Sequence, residues 1–211
     1  MLLKIPENPQ EQERFYKEVA RLLASDKVGA IPTETFYGLA CNPFSQSALE
    51  RLFNLKDRPP NKPILLLLGR LEDLSLVISR VPPKALKLMK LFWPGPLTIV
   101  LPARKSLPKL LTAGLDTIGV RLSSCEVTRK IAQAFRKPIT GTSANLTGQP
   151  PCKSAEEVLE VFPQIDFVVD GGRSTAQLPS TVVEICDNEI KLIREGLLPF
   201  DTILKALEKH K

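Results

Sequence analysis

Lys56-Asp57-Arg58-Pro59-Pro60-Asn61-Lys62-Pro63 places three cations in a loop stiffened by three prolines. The pre-set φ of each proline lowers the cost of ordering such a loop. Arg offers a planar fork and Lys a point charge, so the segment suits a triphosphate or a carboxylate, or else a solvated basic turn. Gly141-Thr142-Ser143-Ala144-Asn145, followed by Thr147-Gly148, is a run of small hydroxyl and amide groups. Such groups bond phosphate oxygens or a metal-bound water without blocking backbone approach, or they do no more than cap a turn. Pro32-Thr33-Glu34-Thr35-Phe36-Tyr37-Gly38-Leu39 offers hydroxyls to a polar substrate with Tyr37 as an amphipathic wall; alternation along an edge strand explains it equally well. Pro179-Ser180-Thr181 and Arg194-Glu195-Gly196 complete the candidates, each commonplace alone.

Other chemistries are excluded. The single histidine, His210, is the penultimate residue of the chain, where termini usually fray. An interior Ser-His-Asp triad, Cys-His pair, multi-His metal site or histidine general base therefore has no imidazole to use. Cys41, Cys125, Cys152 and Cys186 are scattered, form no C-x-x-C and read as reduced structural thiols. Neither G-x-x-x-x-G-K-[ST] nor G-x-G-x-x-G occurs, so a phosphate site must be built differently. The chemistry falls to Lys, Arg, Ser, Thr, Asn, carboxylates or the substrate's own groups.

The elements that must position these residues follow from periodicity. Phe15, Val19, Leu22 and Leu23 fall at helical spacing, predicting an amphipathic helix over 10–26. Val28 to Ile31 reads as a strand closed by Pro32, and 33–39 as a loop or strand edge too rich in hydroxyls for a core element. Ser47 to Phe53 reads as a helix and Ile64 to Leu68 as a buried strand, with helices at 71–78 and 83–92, the latter ended by Trp93-Pro94-Gly95-Pro96. Leu97 to Leu101 and Ile118 to Leu122 read as strands, Ser124 as the cap of a helix through Phe135, and Pro138-Ile139-Thr140 as a short strand. Ser154-Ala155-Glu156-Glu157 is a capping box opening a helix through Phe162. Phe167 to Val169 is a strand, 181–185 and 190–193 form a hairpin around Cys186-Asp187-Asn188-Glu189, and a last helix carries Ile203, Leu204 and Leu207. Alternating strands and helices ending in a hairpin predict an α/β fold with a mixed parallel and antiparallel sheet.

The 211 residues suit a single domain, 1–211, with no linker, repeat or low-complexity tract, and 43% hydrophobic with 25% charged residues is ordinary globular composition. The longest apolar run, 64–68, is far short of the roughly 20 residues a bilayer needs. The start, Met1-Leu2-Leu3-Lys4-Ile5-Pro6-Glu7, has no signal pattern, so a cytoplasmic location without membrane partners is expected. No Asp or Glu occurs between Asp73 and Asp116, whereas Arg80, Lys84, Lys87, Lys90, Arg104, Lys105 and Lys109 do. That stretch is either a solvated helix face or a positive field suited to phosphates or RNA.

Taken in order, Pro32-Thr33-Glu34-Thr35 with Tyr37-Gly38-Leu39, Lys56-x-Arg58-Pro59, Trp93-Pro94-Gly95-Pro96-Leu97-Thr98, Gly119-Val120-Arg121, Ser143-Ala144-Asn145, Pro179-Ser180-Thr181-Val182 and Arg194-Glu195-Gly196 form a far more specific set than any member. Over roughly residues 10 to 200 that set resembles the YrdC/TsaC family, the L-threonylcarbamoyladenylate synthases of tRNA modification. The resemblance implies a twisted mixed sheet flanked by helices around a basic groove. It implies a nucleotidyltransferase reaction of L-threonine, bicarbonate and ATP that yields threonylcarbamoyl-adenylate and pyrophosphate. Partner proteins of a threonylcarbamoyl-transferase complex then place the group on adenosine 37 of ANN-decoding tRNAs.

By the same resemblance, Lys56 and Arg58 hold ATP phosphates, and Ser143 and Asn145 sit at the α-phosphate with Mg²⁺ carried by the phosphates. These four are the expected catalytic residues. Thr33, Thr35, Tyr37, Arg121 and Ser180 meet threonine, and Arg194 closes on the nucleotide. The chain departs from the family's usual pattern at Thr142 and Ser123, where proline is common, and at Pro60, where a small polar residue is frequent. It stops soon after the last motif, as expected of a short form. Alternatives are an RNA-binding module of the same fold, with tRNA or double-stranded RNA held along 74–115, and a carbamoyl-adenylate-forming enzyme.

Overall fold

A computed structural model describes residues 1–186 and 189–209. Eleven strands and eight α-helices are defined among the described residues, in the order β1 Leu2–Lys4, α1 Pro9–Ala24, β2 Gly29–Ile31, β3 Gly38–Ala40, α2 Gln46–Lys56, β4 Leu66–Leu67, α3 Leu74–Val77, α4 Pro83–Phe92, β5 Leu97–Pro102 and α5 Lys109–Thr112. There follow β6 Thr117–Arg121, α6 Glu126–Phe135, β7 Ile139–Thr140, β8 Thr142–Ser143, α7 Ala155–Val161, β9 Phe167–Asp170, β10 Thr181–Cys186, β11 Glu189–Arg194 and α8 Phe200–Glu208.

Local chemistry explains the helix starts. Asn8 accepts the Gln10 N–H at 2.8 Å and Pro9 occupies the first turn of α1, which buries Phe15, Val19, Ala20 and Leu23. Ser45 caps α2, which ends where Asp57 turns left-handed at φ 50° and swings the chain into the proline loop. Ser154 accepts the Glu157 N–H at 3.3 Å as expected, but the Glu157 carboxylate reaches one residue further, to the Lys153 N–H at 2.7 Å.

The strands sort into two mixed sheets, β1-β9-β2-β3-β8 and β11-β10-β5-β6-β4-β7. Within the first, β9 runs parallel to β1 and β2, whereas β3 is antiparallel to β2 and β8. In the second, β5 pairs parallel with β10 and antiparallel with β6, and β10 and β11 form the expected antiparallel hairpin. The Asp187-Asn188 part of that turn, and His210, lie outside the described residues.

The sheets meet where β7 passes into β8. Thr140 accepts the Cys41 N–H on its Oγ1 at 2.8 Å and donates its own N–H to Cys41 O at 3.2 Å, and Gly141 N donates to Leu65 O at 2.9 Å. A Cβ on Gly141 would come within 2.6 Å of Leu67 Cγ, so this passage needs a glycine. The main core spans both sheets, with Leu39 and Val168 from one and Leu66, Ile99 and Val120 from the other. A second cluster packs α1 and α6 on the first sheet through Phe15, Val19, Leu23, Ile131 and Phe167.

Several expectations are corrected. The hydroxyl-rich segment is a loop over 33–37, as expected, but it is buried, with Thr33 and Thr35 only 9% and 5% exposed, and it runs into β3, an inner rather than an edge strand of the first sheet. Burial is tolerated because its hydroxyls bond each other and the backbone. Only Leu66 and Leu67 of the 64–68 run pair as a strand. The helix at 71–78 is a 3-10 turn, Leu71–Asp73, leading into α3. Cys125 rather than Ser124 precedes α6, without a side-chain cap. No described helix is long and apolar enough to cross a membrane.

Candidate ligand-binding cavity

A cavity of about 590 Å³ opens between the two sheets, within the usual range for small-molecule sites. Its walls include Thr33, Thr35 and Tyr37 from the loop before β3, Arg58 from the proline loop, Arg121 at the end of β6, Ser143 at the end of β8 and Asn145 just beyond it, Ser180 before β10 and Arg194 at the end of β11. Nine of the ten residues singled out in the sequence thus meet at one place. No described lining residue is an Asp or Glu.

Lys56 is the exception: it lies beneath the cavity. At 3% exposed, its ammonium donates to Ser143 O at 2.5 Å, Asn145 O at 2.8 Å and Asn145 Oδ1 at 3.0 Å. An ammonium has three protons, and these acceptors engage all three. Burial and the nearby Arg58 pull its pKa down to about 8. Ser143 Oγ donates to the same Oδ1 at 2.6 Å, while Asn145 Nδ2 donates to Leu146 O and Gln149 O, both at 2.8 Å. The 143–145 segment is thereby held from below, leaving the lone pairs of Ser143 Oγ for whatever occupies the cavity.

Arg58 organises its own loop. Its Nε donates to Lys62 O at 3.2 Å, one η nitrogen to Thr142 Oγ1 at 3.4 Å and the other to Pro63 O at 2.7 Å. Three of five N–H groups are spent, and two remain for a ligand. Thr142 thus acquires a role as the acceptor that aims this guanidinium. Arg194 donates to Ser180 O at 2.9 Å and Ser180 Oγ at 3.3 Å, and Ser180 Oγ lies 3.0 Å from Thr98 Oγ1. Burial, reinforced for Arg194 by the like charge of Arg121, lowers the pKa of both arginines.

Thr33 forms a local turn: its Oγ1 donates to Phe36 O at 2.7 Å and accepts from Thr35 N at 3.1 Å. Tyr37 presents its ring, because its hydroxyl donates to Gly172 O at 2.8 Å and accepts from Gly171 N at 3.0 Å. Desolvation raises that phenol to about 12. Arg121, 4% exposed, has Nε 3.8 Å from Glu34 Oε1, and burial lowers its pKa while Glu34 opposes the shift. Glu34 Oε2 in turn accepts from Ser123 Oγ.

The sequence candidates missed Glu34, although Pro32-Thr33-Glu34-Thr35 contains the only carboxylate of that segment. Thr98, Gln149 and Gln177 also line the cavity without having been singled out as site residues; Thr98 closes the Trp93–Thr98 motif, which could have flagged it, whereas nothing in the local pattern of Gln149 and Gln177 marks them. Conversely, none of the seven cations of the acid-free stretch lines it.

Fold and cavity define an α/β protein with an arginine-lined chamber between two mixed sheets. Residues 21–196 match the Sua5/YciO/YrdC family, described as "Telomere recombination", and the chain belongs to that family. It is 37% identical over 189 residues to threonylcarbamoyl-AMP synthase of Pyrococcus abyssi, covering 89% of this chain and 56% of that protein. Against threonylcarbamoyl-AMP synthase of Klebsiella pneumoniae the figures are 38% identity, 83% and 92%. The chain therefore spans little more than half of the first relative but nearly all of the second. The structure of P. abyssi Sua5 complexed with L-threonine superposes with a TM-score of 0.92 at 34% identity, over 98% of this chain and 61% of that one. E. coli YciO superposes at 0.85 with 28% identity, over 96% and 98%.

Proposed function

We propose that the chain is an L-threonylcarbamoyladenylate synthase, making threonylcarbamoyl-AMP and pyrophosphate from L-threonine, bicarbonate and ATP. The observation that carries the reading is the convergence of Arg58, Arg121 and Arg194 with the neutral oxygens of Thr33, Ser143 and Ser180 on one chamber with no acid among its described lining residues. The names of the relatives, and the threonine bound to P. abyssi Sua5, agree with it.

The chemistry suits a site without imidazole. The threonine ammonium gives up a proton to solvent, and the free amine captures bicarbonate with loss of water, or carbon dioxide with loss of a second proton, to give a carbamate. A carbamate oxygen attacks the α-phosphorus as the bond to the pyrophosphate oxygen breaks. Catalysis then reduces to alignment and to neutralisation of charge, which fixed guanidiniums in a partly desolvated site supply. Arg121, with Ser180 and the Thr33-Thr35 turn, receives the amino acid. Arg58 turns its two spare N–H groups on the phosphates, with Arg194 closing over them. Lys56 acts through the Ser143–Asn145 segment that it fastens.

Mg²⁺ arriving on the triphosphate would neutralise phosphate charge, and Ser143 Oγ is the neutral hard oxygen that fits such an ion. We read residues 1–211 as one YrdC-like unit working in the cytoplasm. Its product passes to proteins that modify adenosine 37 of tRNA, and the cations between Arg80 and Lys109 offer a separate weak RNA contact.

Pyrophosphate release tests the proposal. It should depend on threonine and bicarbonate together, and release from ATP unmoved by both would overturn the reading.

A further inference from the structure

Of the three guanidiniums lining the cavity, only Arg121 has a carboxylate as an ion-pair partner among the described residues. That carboxylate belongs to Glu34, whose side chain is 13% exposed against 5% for Arg121. The pair is not closed. Arg121 Nε and Glu34 Oε1 stand 3.8 Å apart, and each is a buried polar atom without a hydrogen-bond partner. Leaving such atoms unmet is costly, so something must hold the carboxylate at this distance.

Ser123 does so. Its Oγ donates to Glu34 Oε2 and accepts from Cys125 N at 3.1 Å, and its carbonyl accepts from Arg129 Nη1 at 2.6 Å. Ser123 is completely buried, so the hydroxyl is fixed to the start of α6 and carries Glu34 with it.

We propose that Glu34 and Ser123 are positioning residues that restrict the Arg121 end of the cavity to a zwitterionic amino acid and leave the polyphosphate to the Arg58 end. The inference rests on the function proposed above. A guanidinium already compensated by a carboxylate forms a cluster of net negative charge when a bare carboxylate joins it. An amino acid brings its own ammonium and keeps the cluster neutral. In a buried site that difference is large, because charges there are poorly screened. Arg58 has no such partner among the described residues, and an uncompensated cation favours a polyanion. Glu34 need not touch the ligand for this to hold. It acts through Arg121.

The test is calorimetric titration of the full chain with L-threonine and with 3-hydroxybutyrate, which keeps the carboxylate and hydroxyl but lacks the amine. The readout is the ratio of the two dissociation constants. The unaltered protein should prefer threonine, and Glu34→Gln should compress the preference about tenfold or more. Ser123→Ala should shift it in the same direction. It removes one hydroxyl, keeps Glu34, and so reports even where Glu34→Gln fails to fold. A purely structural role would weaken both ligands alike and leave the ratio alone. Threonine binding with an unchanged ratio in Ser123→Ala overturns the proposal by itself. Failure of the unaltered protein to bind threonine overturns it together with the function it rests on.

Discussion

Lys56 Nζ and Asn145 Oδ1 lie 3.0 Å apart beneath the cavity floor, and the same ammonium is bonded to the carbonyls of Ser143 and Asn145. A cation that looks in the sequence like a phosphate ligand is here bonded to the 143–145 segment, two of whose residues line the cavity.

Lys56→Met keeps most of the side-chain length but leaves those three acceptors unmet. Stability should fall by about 1–3 kcal/mol, measured by urea unfolding. Turnover should fall about tenfold or more, while the KM for ATP changes little. A large rise in that KM with unchanged stability would return Lys56 to the phosphates.

Arg58 and Arg121 occupy different parts of the wall, so their truncations should separate the substrates. Arg58→Ala should cut turnover about tenfold and weaken ATP, leaving the threonine KM near its original value. Arg121→Ala should do the reverse. Steady-state kinetics with each substrate varied in turn decides between this division and a common site.

Activity and stability should respond to pH in opposite senses above about 8, where Lys56 loses its charge in the folded protein. The folded pKa lies below the ordinary lysine value of 10.5, so between the two the unfolded chain binds more protons. Stability should then rise with pH, as the cost of burying the ammonium is relieved. Turnover should drop over the same interval, since a neutral amine donates one hydrogen bond fewer to the 143–145 segment. Parallel pH profiles of unfolding and pyrophosphate release check this, and Lys56→Met should flatten both.

Tyr37→Phe keeps the ring against the cavity and removes the hydroxyl that bridges Gly171 N and Gly172 O. With both backbone groups left to find other partners, the loss should be about 1–3 kcal/mol of stability. Denaturant titration measures it, with a smaller effect on the threonine KM than Arg121→Ala produces.

Much of this was legible in the chain because helical spacing and caps are local signals. Phe15, Val19 and Leu23 announce α1, and Ser154 announces α7. The residues facing the cavity were also found, since Arg58, Arg121, Ser143 and Arg194 belong to ordered motifs. What escaped depends on long-range pairing. Leu2–Lys4 is too short to show a period and becomes a strand only beside β9. The Thr33–Tyr37 segment looks too polar for an interior, because its partners at Phe36 O and in the 171–172 turn cannot be seen in composition. Burial of Lys56 and the link from Glu34 to Ser123, 89 residues away in sequence, are of the same kind.

Gly141 carries the chain from one sheet to the other, and the chamber takes walls from both. Its width therefore depends on how the two sheets are joined at that seam. Substitutions at Thr140 or Cys41, neither of which lines the chamber, should still change its width. A search for activity-altering variants has as much to gain along this seam as among the arginines.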